Sequence, residues 1–530
     1  MKHVLGIATK RGARQKLLWS MVAAMAVLSL VLLTYAHLIY LPAMTERRGY
    51  RQFFRARRDR VDMSLRELYK KRSQSFNEDQ QKVVNMTRHA WRGYRKFAGW
   101  SDYLSMPKLE GGTVYGHDMA LTAVDSLDTL FIMGLHEEFD EASTWIKTNL
   151  SDIMFQKSTV SFFEITIRSL GGLLSAYYLS EEKYFLSLAD SLGRALQKGF
   201  TCEDSVPCQA VDLEDQYSYG EPQLSEAGSF QLEFAYLARA TDDESFLLPV
   251  NHVNSIMANL VETRYSNGLI PVDMDWKSLK PQPGSVVSVG ALGDSHYEYL
   301  LKQWLLSGKH DNKLRDMYVT AVAAIEVELV GYSYPSNFAF IGKLLATGEL
   351  EPAMEHLTCF VPGMLALGYY HGMPTSHLEL AKELTETCVQ MYLQSASQLA
   401  PDITQFITQV DPNDIEEELF ALPQQDYNLL RPETVESLMI LYRVTGDEIY
   451  REYGRIIMNA FEKQSKVEAG GYRSTLNVWY GQPKTKSGPM ESFFIAETLK
   501  YLFLLFSDED ILSLDEIVFN TEAHPFPMWR

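Results

Sequence analysis

The sequence predicts an all-α domain made of repeated helix–turn–helix units, and three observations support this fold class. From about residue 78 onward, apolar residues recur at spacings of three and four, the period of helices with one buried face. The periodic stretches, such as "FFEITIRSLGGLLSAYYL" and "RPETVESLMILYRVTG", are bounded by Gly, Pro or polar residues. No tight sequence repeat accompanies them. We therefore expect a bundle or a toroid of helical hairpins, with few and short strands.

The composition limits the size of the core and the class of partner. A chain of 530 residues that is 46% hydrophobic can bury a large core, and its length alone would allow roughly two to four domains. No low-complexity segment divides residues 78–530, so we expect them to form one domain. The formal charge of −19 argues against a nucleic-acid partner, because such binding relies on Lys and Arg that neutralise phosphates.

Residues 17–41, "LLWSMVAAMAVLSLVLLTYAHLIYL", predict a transmembrane signal anchor, preceded by a short cytoplasmic tail at residues 1–16. At ~1.5 Å per residue this run can cross a hydrocarbon core of ~30 Å. The alternative, a cleaved signal peptide, would have an apolar region of only ~7 to 15 residues. Basic residues flank both ends of the run, so the positive-inside rule does not decide its orientation. We expect this helix to cross the membrane and to anchor the protein in it.

Residues 42–77 form a basic segment between the apolar run and the large domain. Between Pro42 and Ser75 there are 11 Lys and Arg residues. The pattern "YRQFFRARRDRVDMSLRELYKK" is compatible with an amphipathic helix on the membrane surface and with a solvated helical stalk. We prefer the stalk.

Sequons and cysteines bear on the compartment of the large domain. "NMT" at Asn85 and "NLS" at Asn149 are N-glycosylation acceptors if this domain is lumenal. The four cysteines are even in number, as expected for disulfides in an oxidising compartment. Buried free thiols remain the alternative from the cysteine count alone.

Carboxylates recur in or near the first turns of otherwise apolar helical patterns. They are Glu164, Glu226, Asp294, Glu298, Glu433, Glu436, Glu491 and Glu497. Helix capping and the helix dipole explain any one of them. They explain less well why Glu164 is followed four residues later by Arg168 among apolar neighbours, since buried charges must be paired. If the helices close into a ring, these ends converge on one acidic cleft.

An acidic cleft beside aromatic side chains has the inventory that glycoside hydrolysis needs. One carboxylic acid protonates the leaving oxygen, and a second carboxylate activates water or attacks the sugar. Further acids can hydrogen-bond sugar hydroxyls. The same inventory suits a lectin, so composition does not choose between an enzyme and a binding protein.

Longer motifs point to one family. They are "AVDSLDTLFIMGL" (123–135), "FFEITIRSLGGLLSAY" (162–177), "GDSHYEYLLKQW" (293–304), "LLRPETVESLMILYRVTGD" (429–447), "MESFFIAETLKYLFLLF" (490–506) and "VFNTEAHPFPMW" (518–529). In this order they resemble the class I α-1,2-mannosidases, glycoside hydrolase family 47. The resemblance implies an (α/α)7 barrel plugged by a C-terminal hairpin. It also implies a type II membrane enzyme of the endoplasmic reticulum or Golgi, which removes α-1,2-linked mannose from high-mannose N-glycans by a calcium-dependent, inverting reaction. The alternative is a mannosidase-like lectin that recognises such glycans on misfolded glycoproteins.

The resemblance assigns roles residue by residue. Glu164 matches the general acid, while Glu433 and Asp294 match the other two catalytic carboxylates. Glu433 is the strongest candidate for the base, but the sequence does not decide which of the two activates water. Phe493 matches a ring that packs on the sugar. The positions that match the lining of the family's mannose and calcium site are Asp128, Arg168, Glu226, Glu298, Glu436, Glu497 and Glu522.

The resemblance also implies a calcium ligand and a disulfide. The Thr of the family's "NTEAHP"-like motif binds Ca2+ through its hydroxyl and carbonyl oxygens, which places Thr521 on the hairpin that plugs the barrel. Oxygen ligands suit this hard cation, which takes six to eight of them, water and sugar hydroxyls included. Cys359 and Cys388 match the family's disulfide. Whether Cys202 and Cys208 pair stays open.

Leu292 departs from the pattern of the endoplasmic-reticulum members. Those members carry Arg two residues before the Asp of the "DSxYEYLLK" motif, whereas Golgi and secreted fungal members carry Leu. An Arg can hold several sugar hydroxyls through its fork of donors, but Leu makes only apolar contact. We therefore expect Leu292 to bind substrate and a wider range of mannose branches to be trimmed. The compartment stays open.

Overall fold

The computed structural model describes residues 64–529, except 115–117, 157–158, 202–205, 215–216, 410–416 and 482–487. Within these residues, Leu65–Met528 forms one compact unit. No helix in the described ranges is long and apolar enough to cross a membrane. The predicted tail at 1–16, the membrane span predicted at 17–41 and most of the predicted stalk lie outside the described residues.

Among the described residues, seven helical segments are almost wholly buried and form an inner layer. Their apolar residues surround the helix on all sides, as expected for a core helix. The inner helix Asp294–Leu306 is buried at every residue except Asp294. The segments are Leu121–Asp125 with Leu127–Ile132, Phe162–Glu164 with Ile165–Leu170 and Gly171–Ser180, Leu224–Gly228 with Gln231–Thr241, Asp294–Leu306, His356–Phe360 with Val361–Tyr370, Glu433–Thr445, and Phe494–Thr498 with Leu499–Leu505.

The inner layer closes into a ring. Each inner helix contacts the next one along the chain, and Phe494–Thr498 of the last segment contacts Leu127–Ile132 of the first. Because consecutive inner helices are separated by one outer helix, they all run in the same direction around the ring. Their N-terminal ends therefore meet at one end of the barrel.

Seven outer helical segments in the described part of the chain alternate with the inner ones. They bury one face only: in His136–Met154 the buried residues Phe139, Ala142, Ile146 and Leu150 recur at three- and four-residue spacing. The outer segments are Glu78–Gly93 with Tyr94–Ala98, His136–Met154, Lys183–Leu196 with Gln197–Thr201, Glu244–Phe246 with Leu247–Thr263, Asn312–Ala324 with Ile325–Leu329, Thr375–Leu393, and Ile449–Ala460 with Phe461–Ser465. The predicted toroid of hairpins is thus confirmed as a ring of seven helix pairs.

Strands are short, as predicted, but more numerous than expected. All pairs are antiparallel, in two three-stranded and six two-stranded sheets across the described residues. They lie in the connections between helices, where ladders of two or three residues leave no alternating pattern to read. The strands are Tyr103–Ser105, Glu110–Gly112, Thr159–Ser161, Ala210–Asp212, Ser218–Tyr219, Met274–Asp275, Lys280–Pro281, Val330–Tyr332, Ala339–Ile341, Lys343–Leu344, Leu350–Glu351, Ala353–Glu355, Ile403–Phe406, Leu419–Phe420, Tyr427–Asn428, Thr475–Leu476, Ile517–Phe519 and Pro525–Pro527.

The last two strands form a buried hairpin inside the ring. Ile517–Phe519 pairs with Pro525–Pro527, and every residue of both strands is buried. One strand contacts the inner helix Asp294–Leu306, and the other contacts the inner helix Gly171–Ser180. The C-terminal segment therefore fills the barrel axis, as the resemblance implied.

The compact unit begins before residue 78. The short helix Leu65–Arg72 lies within the segment predicted as a stalk, and it contacts two inner helices. Its Tyr69 is buried, with the ring edge-on to Phe131 at 5.7 Å. This helix is therefore part of the packed domain.

One predicted disulfide is confirmed, and the sequons fall on outer helices. Cys359 and Cys388 are bonded, joining the segment His356–Phe360 to the outer helix Thr375–Leu393. Cys208 is also disulfide-bonded, whereas Cys202 lies outside the described residues. Asn85 is exposed, while Asn149 is half-buried and donates from Nδ2 to the carbonyl of Trp145 at 2.9 Å. Glycosylation at both remains a prediction.

Candidate active site

The predicted carboxylates gather where the inner helices begin. Asp294 is the first residue of its helix, and Glu433 and Glu436 lie in the first turn of theirs. Since all seven inner helices run in the same direction, ring closure brings these ends to one end of the barrel. The acids expected from helix starts alone therefore face a common cleft.

Glu164 and Arg168 form an ion pair at the start of the second inner helix. Arg168 Nε donates to Glu164 Oε2 at 2.7 Å, and the Glu164 side chain keeps 38% of its surface exposed. The Ser161 hydroxyl caps this helix by accepting from the backbone N–H of Glu164 at 3.2 Å. Directly after Glu164 the chain widens into a π-helical segment, Ile165–Leu170, which contains Arg168; such distortions often occur at functional sites.

Arg168 connects this pair to the hairpin. Its Nη1 donates to Glu522 and, at 3.2 Å, to the hydroxyl of Ser492, and it lies 3.7 Å from Asp125 Oδ2. Burial opposes the charge of this guanidinium, but the facing carboxylates outweigh it and raise the pKa of Arg168. The Phe493 ring lies beside it, with 5.7 Å between the guanidinium carbon and the ring centroid.

Glu433 is held by a histidine that the sequence did not single out. His356 Nδ1 lies 2.8 Å from Glu433 Oε2, and His356 Nε2 lies 2.8 Å from the hydroxyl of Tyr392. A neutral His356 that donates from Nδ1 and accepts at Nε2 satisfies both contacts. The Cys359–Cys388 disulfide joins the two segments that carry His356 and Tyr392.

Asp294 has the electrostatic environment of a group that can exchange protons near neutral pH. Burial, reinforced by Glu298, Glu355 and Glu433, raises the pKa of Asp294 to about 7. Its Oδ1 accepts a hydrogen bond from the backbone N–H of Ser295 at 2.8 Å. A general acid or base works best with a pKa near the operating pH.

Glu298 and Glu436 share a buried lysine. Lys302 donates to Glu298 one helical turn earlier, and its Nζ lies 3.8 Å from Glu436 Oε1. Burial nevertheless raises the pKa of Glu436 to about 8, and repulsion from Glu298 and Glu433 adds to this shift. The hydroxyl of Tyr501 donates to Glu436 at 3.3 Å.

Glu497, Glu226 and Glu522 complete the acidic lining. Burial raises the pKa of Glu497, and Glu433 and Glu436 reinforce the shift. Burial likewise raises the pKa of Glu226, which faces Glu164, and that of Glu522. Glu497 lies in a π-helical segment, as Arg168 does. The cleft therefore makes ionisation of these three carboxyl groups less favourable than in water.

Asp128, which the resemblance places in the lining of the site, contacts the base of the hairpin. It is fully buried, and its Oδ2 contacts His524 Nδ1 at 2.8 Å while its Oδ1 contacts Lys500 Nζ at 2.8 Å. His524 Nε2 lies 3.0 Å from Asp125 Oδ1. Lys500 also donates to the carbonyl of Ala523 at 2.7 Å. Asp128 thus anchors the hairpin.

The hairpin tip presents the two oxygens of Thr521. Asn520, the residue before Thr521, holds the tip in place, since its Nδ2 donates to Glu233 Oε1 at 2.8 Å and to the carbonyl of Ile167 at 2.9 Å. The N–H of Thr521 donates to the hydroxyl of Tyr299 at 3.4 Å. Neither the hydroxyl nor the carbonyl oxygen of Thr521 has a hydrogen-bond partner in the part of the chain that the structure describes.

Leu292 lies at the rim of the cleft. It is 42% exposed, in the turn that leads into Asp294, and its carbonyl accepts from the N–H of Ser225 at 2.9 Å. Its φ of 73° lies in the left-handed region. Its exposure next to a catalytic candidate is compatible with contact to a bound ligand.

Sequence reasoning missed several residues that hold this site together. Lys302 had a detectable signal, because it follows Glu298 by four residues in a helical pattern. His356, Lys500 and Ser492 had no local signal, since their partners are far away in the chain.

The ring of helical hairpins brings several carboxyl groups to one end, beside the aromatic ring of Phe493. These are the chemical groups that a glycoside hydrolase needs. The model of Glycosyl hydrolase family 47 matches residues 86–528. The chain belongs to this family, so the family inferred from the motifs is confirmed.

Relatives and a solved structure agree with this assignment. The chain is 43% identical over 463 residues to the endoplasmic reticulum mannosyl-oligosaccharide 1,2-alpha-mannosidase of Homo sapiens, covering 86% of this chain and 64% of that protein. It is 39% identical over 472 residues to the human mannosyl-oligosaccharide 1,2-alpha-mannosidase IB, with 86% and 70% covered. The alpha-1,2-mannosidase from Trichoderma reesei superposes with a TM-score of 0.78 at 25% identity, over 85% of this chain and 99% of that one.

The first prediction concerns the anchor of the hairpin. Lys500→Met should lower the free energy of unfolding by roughly 3 to 5 kcal/mol at pH 7, because it leaves Asp128 buried without its cation. Burial opposes ionisation of Asp128, but Lys500 and His524 lower its pKa to about 2. This contribution to stability is present above the unfolded pKa of about 3.9 and is lost as the pH falls toward 2.

Urea unfolding at several pH values measures this effect. The difference in the free energy of unfolding between wild type and Lys500→Met should become smaller below about pH 4. Lys463→Met, which removes an exposed lysine near the end of an outer helix, is the matched control and should change stability by less than about 0.5 kcal/mol. Equal effects of the two substitutions would contradict the anchoring role.

Proposed function

We propose that this protein is a calcium-dependent, inverting α-1,2-mannosidase that removes terminal α-1,2-linked mannose from high-mannose N-glycans on glycoproteins. One observation carries the proposal: Glu164, Asp294 and Glu433 lie at the beginnings of three inner helices that the ring brings to one acidic cleft. The names of the mannosidase relatives support the choice of substrate.

Glu164 is the proposed general acid. Its side chain is partly exposed and reaches the cleft from the side of the Arg168 ion pair. In this role it protonates the glycosidic oxygen that leaves. The same guanidinium holds Glu522, so it fixes the acid relative to the hairpin tip.

Glu433 and Asp294 are the candidates for the base that activates water. His356 occupies one oxygen of Glu433, which leaves the other free to accept a proton from water. Asp294, with a pKa of about 7, can share this task or hold the water. The choice between the two carboxylates stays open.

Thr521 is the proposed protein ligand for Ca2+. Among the described residues its two oxygens have no hydrogen-bond partner, and burial beside Glu433 and Glu436 opposes ionisation of Glu497, an effect that a hard cation would offset. Across the described residues no group of three or more His, Cys, Asp or Glu is placed to hold a metal ion. Water and sugar hydroxyls would therefore supply its remaining oxygens. A bound Ca2+ would orient sugar hydroxyls and offset the charge of the acids.

The endoplasmic reticulum or the Golgi is the proposed location, with the catalytic domain in the lumen. The disulfide between Cys359 and Cys388 fits an oxidising compartment. The human relative with 43% identity is named for the endoplasmic reticulum, whereas Leu292 follows the Golgi and fungal pattern. A type II anchor at residues 17–41 remains a prediction from the sequence.

The central test uses Glu164→Gln. The amide keeps the size of the side chain but cannot supply a proton, so release of mannose from a nine-mannose glycan should fall by roughly 10² to 10⁴. Mass spectrometry of the glycan measures turnover. Glu326→Gln, at an exposed position of the outer segment Ile325–Leu329, should leave the rate unchanged. Glycan binding without turnover by the wild type would instead favour the lectin alternative.

The stereochemical outcome tests the inverting mechanism. In an inverting reaction, water attacks the face of the sugar opposite the leaving group, so β-mannose should be the first product. Proton NMR during the first turnovers distinguishes the two anomers. Initial release of α-mannose would exclude inversion.

The proposed calcium ligand predicts a loss of metal-linked stability. Calcium that binds only the folded protein should raise the melting temperature of the wild type, and Thr521→Ala should shrink this shift because one oxygen ligand is lost. Differential scanning fluorimetry over a calcium titration gives both values. The control Thr144→Ala, on the exposed face of an outer helix, should keep the full shift. The same shift in both variants would exclude Thr521 as a ligand.

The rim position predicts a change of branch preference in Leu292→Arg. Leu292 already adopts a positive φ, so the substitution adds no new backbone strain. An unpaired guanidinium should penalise some branches by about 1 to 3 kcal/mol and make one branch roughly tenfold to a hundredfold preferred. In a time course that starts from a nine-mannose glycan, the wild type should trim the glycan toward five mannoses. The variant should accumulate the eight-mannose glycan.

Separating and quantifying the isomers of the intermediate glycans measures this branch preference. Leu248→Arg, at a position that is 69% exposed on an outer helix, is the matched control and should leave the isomer pattern unchanged. Identical patterns for wild type and Leu292→Arg would mean that Leu292 does not contact the substrate.

A further inference from the structure

Two exposed tyrosines lie at the edge strand Ser218–Tyr219 of a small sheet beside Glu164, one directly before the strand and one at its end. Tyr217 is 64% exposed and Tyr219 is 47% exposed, although tyrosine usually buries much of its ring. Their ring centroids are 5.6 Å apart with 37° between the planes. The two rings form one aromatic surface, which we call the tyrosine platform.

The sheet connects the tyrosine platform to the helix that carries Glu164. Ser161 pairs with Ala210, and Ala210 pairs with Tyr219, so Ser161 and Tyr219 share one face of the sheet. One strand separates them, which corresponds to about 10 Å at the usual strand spacing. Ser161 is also the cap of the helix that begins with Glu164.

A second connection links the platform segment to the cleft through Gln209. The N–H of Gln209 donates to the carbonyl of Gly220 at 3.1 Å, directly after Tyr219, and its carbonyl accepts from the N–H of Phe162 at 3.0 Å. The Gln209 side chain lies near Glu226 and opposes the rise that burial causes in the pKa of this carboxyl group. The position of the platform is therefore fixed relative to two carboxylates of the cleft.

We infer that the tyrosine platform binds sugar residues on the leaving-group side of the scissile bond. A general acid protonates the leaving oxygen, so the leaving part of the glycan extends past Glu164. Tyrosine rings offer an apolar face to the C–H groups of a pyranose and a hydroxyl to its oxygens. At about 10 Å from Ser161, the platform is placed for sugars beyond the first leaving residue.

This inference rests on the proposed function and extends it to a contact that governs recognition of large glycans. Contacts with a part of the substrate remote from the scissile bond can stabilise the bound substrate and the transition state equally. Such contacts lower KM without changing kcat. The platform should therefore distinguish a branched glycan from a disaccharide. It should not influence the bond-breaking step itself.

The experiment compares the wild type with the double variant Tyr217→Ala/Tyr219→Ala on two substrates. For a free glycan with nine mannoses, KM should rise roughly tenfold while kcat stays unchanged. For α-1,2-mannobiose, which ends at the first leaving sugar, both constants should match the wild type. The variant Tyr217→Phe/Tyr219→Phe keeps both rings and should retain most of the affinity.

A matched control separates the platform from exposed tyrosines in general. Tyr332 is 46% exposed, and the acids near it, Glu326 and Glu383, lie on outer helical segments or directly after them. Tyr332→Ala should leave KM for both substrates unchanged. An unchanged KM for the large glycan in the double alanine variant, or an equal rise for the disaccharide, would overturn the inference.

Calorimetry with the nine-mannose glycan distinguishes failure of this inference from failure of the proposed function. If the wild type binds the glycan but releases no mannose, the proposed activity is wrong, and a roughly tenfold weaker Kd in the double alanine variant would still support the platform. If turnover is normal and the two Kd values are equal, the platform is wrong and the activity stands.

Discussion

The site depends on the buried ion pairs that fix the hairpin inside the ring. Lys500 and His524 hold Asp128, and His524 reaches on to Asp125, all without exposure to solvent. Charges buried in this way are costly unless each has a partner, so the hairpin can occupy the axis in one position only. That position brings Glu522 to Arg168, and with it the start of the helix that carries Glu164.

A second constraint is the uniform direction of the inner helices. Because each is followed by an outer helix that returns the chain, acids at helix starts accumulate at one end of the barrel. Burial raises the pKa of Glu497 and that of Glu436, and repulsion between neighbouring carboxylates adds to both shifts. The fold thus stores an unfavourable concentration of charge where a cation and sugar hydroxyls can relieve it.

The sequence predicted what is local or carried by long motifs. Helical periodicity and acids at helix starts identified most of the lining, and the resemblance supplied the ring and the Cys359–Cys388 disulfide. Contacts between distant segments could not be predicted, so His356 and Lys500 were missed, and so were the contacts of Asp128 with Lys500 and His524. The short strands were undercounted because they carry no alternating pattern.

The hairpin that fills the axis follows all seven inner helices in the order of the described chain. A ribosome therefore synthesises every wall of the cleft before it synthesises the segment that completes it. Because a domain generally folds as a unit, the ring and its hairpin can reach their final packing only after residue 522 has been synthesised. Assembly of the site is thereby postponed until translation has passed residue 522, and a chain cut short before that point would lack His524 and leave Asp125 and Asp128 without this buried partner.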